Sequence, residues 1–114
     1  MHKIEQWMCN TIQSQRLADS NKLKYEGLTN TQGNTMVCTR LRSDYVAVTT
    51  VYLHGNMIAQ YSSDAWGFKM AGWPTPTTKS RINALAAAFG REGVYTKAGK
   101  HYSGDKEVNA HDWF

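Results

Sequence analysis

The chain has 114 residues, 41% of them hydrophobic, and carries 13 Lys and Arg against 9 Asp and Glu, a formal net charge of +4. This length makes residues 1–114 one domain with a single core, the composition excludes disorder, and no apolar run approaches the roughly 20 residues of a membrane span. The mildly basic balance, with a pI near 9.2, permits contact with nucleic acid or another acidic partner and disfavours a polyanionic DNA mimic.

At the N-terminus one cation, Lys3, precedes Ile4-Glu-Gln-Trp-Met-Cys9. Glu5 and Gln6 interrupt any apolar stretch of the kind a secretory signal needs, so the chain is expected in the cytoplasm. Cys9 and Cys38 are then expected as reduced thiols. Without a C-x-x-C pair, and with four scattered histidines, neither a metal nor a cofactor is expected.

His2 to Ala18, within an N-terminal segment of residues 1–18, reads as an amphipathic helix. Ile4, Trp7, Met8 and Ile12 share one face at helical spacing, whereas Glu5, Gln6, Asn10, Gln13 and Arg16 point elsewhere and Leu17 falls off the stripe. Lys22 to Asn34 is polar and turn-rich and reads as a loop with at most a short strand around Leu23–Tyr25. From Thr35 the period changes to two. Met36 to Leu41, Tyr45 to Leu53, Met57 to Tyr61 and Trp66 to Met70 read as strands, joined by turns at His54-Gly-Asn56 and Ser62-Ser-Asp64. Short connections of this kind make an antiparallel meander of about four strands.

The run Ala71-Gly-Trp-Pro-Thr-Pro-Thr-Thr-Lys-Ser-Arg-Ile-Asn-Ala-Leu-Ala-Ala-Ala-Phe-Gly90 holds a complete helix, roughly Pro76 to Phe89. Pro74 and Pro76 break what precedes, Thr75, Thr77 and Thr78 can cap, Ile82, Leu85, Ala86 and Phe89 form an apolar stripe, and Gly90 suits a left-handed C-cap. Val94 to Lys97 and Lys100 to Ser103 flank Ala98-Gly99 as a closing hairpin, and Trp113-Phe114 ends a polar tail. The expected fold class is α+β: the meander packed against one well-capped helix, with an N-terminal amphipathic helix and a C-terminal hairpin.

The segments Val51-Tyr-Leu-His-Gly-Asn-Met-Ile-Ala59 and Ala71-Gly-Trp-Pro-Thr-Pro-Thr-Thr-Lys-Ser-Arg-Ile-Asn-Ala-Leu85 resemble a family of small proteins encoded by tailed bacteriophages, in which "HGN" and "TTKSR-[IL]-N-AL" elements recur together. The resemblance covers about residues 45–103, within a family-like core of 35–103, and leaves the N-terminal helix outside. It implies a phage gene product acting in the cytoplasm of an infected bacterial host, and it implies no reaction.

Thr77, Thr78, Lys79 and Arg81 are the first candidate site. Unpaired N–H groups at a helix start attract anions, and two hydroxyls and two cations there can hold a phosphate or carboxylate. Plain capping with solvated charges accounts for the same residues. Mid-helix Asn83 is a weak helix former, read as a hydrogen-bonding residue toward a neighbouring strand or loop. Trp66 and Trp73 are either core lids or, if exposed, stacking surfaces. Lys97, Lys100, His101 and Tyr102, with Tyr95 and Lys106, form a second basic and aromatic patch that can track a phosphate backbone, although a half-buried hairpin alternates in the same way. Trp7, Met8 and Trp73, with Trp113, are candidate interface residues.

No G-x-S-x-G, H-E-x-x-H, P-loop or paired-carboxylate motif occurs, so no enzyme is expected. Two functions remain. One is a non-enzymatic binder or inhibitor of a host protein or defence complex. The alternative is a nucleic-acid-binding accessory protein that uses the basic helix start. Oligomeric state is left open, because an exposed N-terminal helix can serve a dimer as readily as a core.

Overall fold

A computed structural model describes residues 2–63 and 65–114; Asp64 of the anticipated Ser62–Asp64 turn lies outside them. The order is α1 (Lys3–Arg16), α2 (Ser20–Tyr25), β1 (Leu28–Gln32), β2 (Thr35–Leu41), β3 (Ala47–Leu53), β4 (Asn56–Ser62), β5 (Ala65–Phe68), α3 (Pro76–Ala88), β6 (Tyr95–Lys97), β7 (Lys100–Ser103) and β8 (Lys106–Glu107). The first five strands form one antiparallel meander in the order β1-β2-β3-β4-β5, and the last three form a small separate sheet. This is the α+β architecture that the periodicities predict, with two elements more than expected in the N-terminal half.

Those two lie in the Lys22–Asn34 stretch that reads as a loop. Around Leu23–Tyr25 the chain is helix, with Asp19 Oδ1 accepting from Asn21 N–H at 2.8 Å as its cap. Strand β1 follows as an edge of the sheet, four of its five residues exposed. An exposed edge strand has no buried face to impose alternation, so Thr-Asn-Thr-Gln carries no period-two signal. Its register comes from β2, Leu28 facing Thr39 and Gln32 facing Thr35 across a turn that places Gly33 at φ 57.

Both long helices lie on one face of the sheet: α1 over β2 and β3, α3 over β4 and against α1. Between them lies a core of Met8, Ile12, Val37, Val51, Leu53, Ile58, Phe68, Met70, Ile82 and Leu85, all at most 3% exposed. A bulge between Val51 and Tyr52 interrupts the β3–β4 register, which passes from Val51–Ala59 to Tyr52–Met57 and leaves Ile58 as the extra residue. The bulge re-aims Ile58 into the core beside Ala59, which no strict alternation would allow.

Helix α3 begins with Thr75 as N-cap, its Oγ1 accepting from Thr78 N–H at 3.2 Å, with Pro76 at the first helical position. It ends with Gly90 at φ 71, and Arg91 N–H closes on Ala86 C=O at 2.8 Å. This six-to-one bond over a left-handed glycine is a Schellman cap. Ile82, Leu85 and Ala86 are buried as expected, but Phe89 is only half-buried. It lies at the end of the helix and packs sideways on Trp66, 4.9 Å between ring centroids. The C-terminal tail returns to the sheet, where Phe114 and Phe68 exchange both backbone hydrogen bonds at 2.8 Å.

Candidate functional site

The β3–β4 turn and the segment leading into α3 meet around a cleft of about 410 Å³. Its floor is Leu53, Ile58 and Met70, none more than 3% exposed, and Trp73 forms one wall with 64% of its surface free. His54, Asn56, Thr75 and Thr77 edge it with polar groups. Two tight turns shape its mouth. His54 (φ 51) with Gly55 (φ 79), and Ala71 (φ 54) with Gly72 (φ 78), place consecutive residues in the left-handed region, which non-glycine residues enter at a cost of roughly 1–2 kcal/mol. Gly72 is also pressed by the tail: a Cβ there would sit 2.6 Å from the His111 ring, and its N–H donates to Ala110 C=O at 2.8 Å. The cleft wall is thus clamped by the last residues of the chain.

The sequence-derived cluster Thr77, Thr78, Lys79 and Arg81 is divided three ways. Thr77 and Thr78 line the cleft. Lys79 turns the opposite way, its Nζ donating to Thr96 Oγ1 at 2.8 Å. Arg81 points inward, and its Nη1 meets Glu5 Oε2 at 2.8 Å while its Nε donates to Thr35 Oγ1 at 3.3 Å. Nor is the helix end rich in free donors. Pro76 has no N–H, Thr78 N–H goes to Thr75 Oγ1, and Lys79 N–H goes to Thr75 C=O at 3.1 Å. That leaves Thr77 N–H alone without a partner among the described residues, and a single donor beside an Arg81 already paired with Glu5 makes a poor anion cradle.

Glu5 likewise departs from its place on the solvent side of α1. It is buried, accepting from Ser80 Oγ and Arg81 Nη1 while helping to cap its own helix through His2 N–H at 3.3 Å. Burial is the largest single influence on its carboxyl and pushes it up. The hydrogen bonds from Ser80, Arg81 and His2, with the Arg81 charge, outweigh that and hold it below the usual range. A spacing signal for both residues exists in the sequence. Arg81 precedes Leu85 by four and Glu5 precedes Met8 by three, so each shares the apolar stripe of its helix.

Of the anticipated interface residues, Met8 is fully buried and therefore belongs to the core, Trp7 is half-buried against that core, and Trp73 stands exposed. Trp66 is the core lid. Asn83 bridges to the strand region, with Nδ2 donating to Val94 C=O at 3.0 Å and Oδ1 accepting Val94 N–H at 2.7 Å. Lys97 and Lys100 face each other across the β6–β7 turn, as do Thr96 and His101, and Tyr95 and Tyr102. Cys9 and Cys38 are both free. Among the described residues no group of three His, Cys, Asp or Glu side chains could hold a metal ion, and no helix is long and apolar enough to cross a membrane. The cleft floor escaped sequence reading because Leu53, Ile58 and Met70 look like any other strand apolar positions; only the pairing of the His54-Gly55 and Ala71-Gly72 turns hinted at it.

Over residues 1–114 the chain matches the family described as Kyanoviridae Gp96 protein. It belongs to this phage protein family. The match takes in α1, which the resemblance over residues 45–103 left outside, so the helix carrying Glu5 is part of the family's domain. No curated protein and no solved structure matches the chain.

Proposed function

We propose that this phage protein is a non-enzymatic binder that inhibits or redirects a host protein in the infected cell, and that it holds its partner at the Trp73 cleft. One observation carries the reading: a tryptophan 64% exposed stands beside a cleft whose floor is entirely apolar. Tryptophan in water beside a preformed apolar depression is the arrangement in which interface anchors are found. The polar edge from His54, Asn56 and Thr77 supplies orientation, and the tail clamp on Gly72 keeps the wall rigid before binding, which lowers the ordering cost.

The test is a side-by-side capture from nuclease-treated host lysate with the parent and Trp73→Ala. A host protein retained by the parent should be lost at least about tenfold by the variant, since a central anchor contributes around 2 kcal/mol or more. The thermal midpoints of the two should agree, because an exposed side chain contributes little to folding. Equal recovery of the same proteins by both would overturn the reading.

A further inference from the structure

Lys79 Nζ, on the first turn of α3, donates to Thr96 Oγ1 at 2.8 Å. Thr96 Oγ1 lies 3.2 Å from His101 Nδ1, so the first turn of α3 is tied to the β6–β7 hairpin. Between helix and hairpin runs a groove of about 610 Å³, lined by Glu5, Lys79, Ser80, Asn83, Tyr95 and Thr96. At the hairpin tip Lys97 and Lys100 are exposed direct cross-strand partners around Ala98 (φ 53) and Gly99 (φ 78). Like charges directly opposite each other destabilise a ladder. Neither forms an ion pair among the described residues, so nothing described relieves the repulsion.

Two residues along each strand, Tyr95 and Tyr102 occupy the same face and stack at 5.6 Å, with Tyr95 48% exposed. The acidic residues of this sheet lie on the far side of that ring pair from Tyr95: Glu107 on β8 faces Tyr102, and the Glu92 carboxylate packs on Gly104. Lys97 and Lys100 thus stand together at the tip, and Tyr95 lies on the side of the ring pair away from Glu107.

We infer that the β6–β7 hairpin forms a binding site for single-stranded nucleic acid, separate from the Trp73 cleft. Lys97 and Lys100 neutralise successive phosphates, and Tyr95, braced from behind by Tyr102, offers its outer face to an unpaired base. Two cations on the same sheet face as one ring suit a short stretch of strand. A duplex hides its base faces and would leave Tyr95 without a use.

The experiment is fluorescence anisotropy with a labelled oligothymidine strand of about 12 nucleotides and a duplex of equal length, between about 50 and 200 mM salt. The strand should bind more tightly than the duplex. Lys97→Gln with Lys100→Gln should weaken strand binding about tenfold and reduce the salt slope by about 1.4, at roughly 0.7 per phosphate contact. Tyr95→Leu, which keeps bulk in the sheet, should weaken binding about fivefold or more and leave the salt slope unchanged. Parent-like circular dichroism would certify both variants as folded. The inference is overturned if the parent fails to bind the strand at low salt, or if the duplex binds as tightly. Parent affinity in the lysine variant, or equal binding of a polyglutamate peptide, overturns it as well. Trp73→Ala should leave strand binding unchanged, so this result and that of the host-protein test can be told apart.

Discussion

Arg81 Nη1 and Glu5 Oε2 meet at 2.8 Å between α1 and α3, 76 residues apart in the chain, with side-chain exposures of 8% and 3%. The pair crosses the interface of the two long helices and is anchored on the sheet by Thr35, whose Oγ1 accepts from Arg81 Nε. Ser80 fills a further acceptor site on the carboxylate. A buried pair hydrogen-bonded in this way is costly to halve and cheaper to replace whole.

Breaking it one side at a time should therefore be severe. Glu5→Leu or Arg81→Met should each lower stability by about 3–5 kcal/mol, because the abandoned charge stays buried. The double variant should recover a large part of that loss. Urea denaturation of all four proteins measures the coupling, and additive losses would show the two charges to be independent.

The same pair sets an acid dependence. The Glu5 carboxyl is lowered from its ordinary value of 4.5, so the folded protein holds its charge more firmly than the unfolded chain does. A depressed folded value contributes stability that is present above 4.5 and disappears as pH falls through the folded value. The urea midpoint should drop between about pH 5 and pH 2 in the parent, and Glu5→Gln should flatten that part of the curve while lowering the plateau at neutral pH.

Thr75 and Thr77 look equivalent in the sequence and should behave differently. Thr75 caps α3 through Thr78 N–H, whereas Thr77 is exposed at the cleft edge. Thr75→Ala should cost about 1 kcal/mol, and Thr77→Ala should fall within about 0.5 kcal/mol of the parent. Thermal or denaturant midpoints of the two variants decide the assignment.

The thiols should differ in reactivity. Cys9 is buried, and burial followed by the Glu5 charge pushes its thiol up, while Cys38 is half-buried and accepts from Thr29 Oγ1 and Arg40 Nε, each at 3.4 Å. A disulfide reagent should modify Cys38 in the native protein and Cys9 only after unfolding, since reaction requires an accessible thiolate. Simultaneous modification of both under native conditions would place Cys9 at the surface.

Asn83 should act as the latch between α3 and the small sheet. Its amide satisfies both backbone groups of Val94, a residue only 4% exposed, and a Cβ on Gly93 would lie 1.9 Å from Asn83 Oδ1. Asn83→Ala should cost about 1–3 kcal/mol by leaving those groups unpaired. Gly93→Ala should loosen the hairpin sterically, seen as faster amide exchange in β6 and β7 than in β3.

Much of the fold was legible because its signals are local. The period-two runs around Val51 and Ile58, the turns at His54-Gly55 and Ala98-Gly99, and the Thr75-Pro76 start and Gly90 stop of α3 are properties of neighbouring residues, and the structure keeps all of them. Strand β1 was illegible because an exposed edge pairs through its backbone and leaves its side chains free to be polar. The site was decided by contacts that no window of sequence contains. Arg81 reads as a solvated cation until Glu5 arrives from the other helix, since burying a charge is tolerable only with its partner present. Lys79, two residues earlier, goes instead to Thr96, because a step of two residues on a helix turns a side chain to the opposite face. The cleft exists only because the meander brings Leu53 and Ile58 under Trp73, and apolar residues do not announce whether packing will cover them or leave a depression open to water.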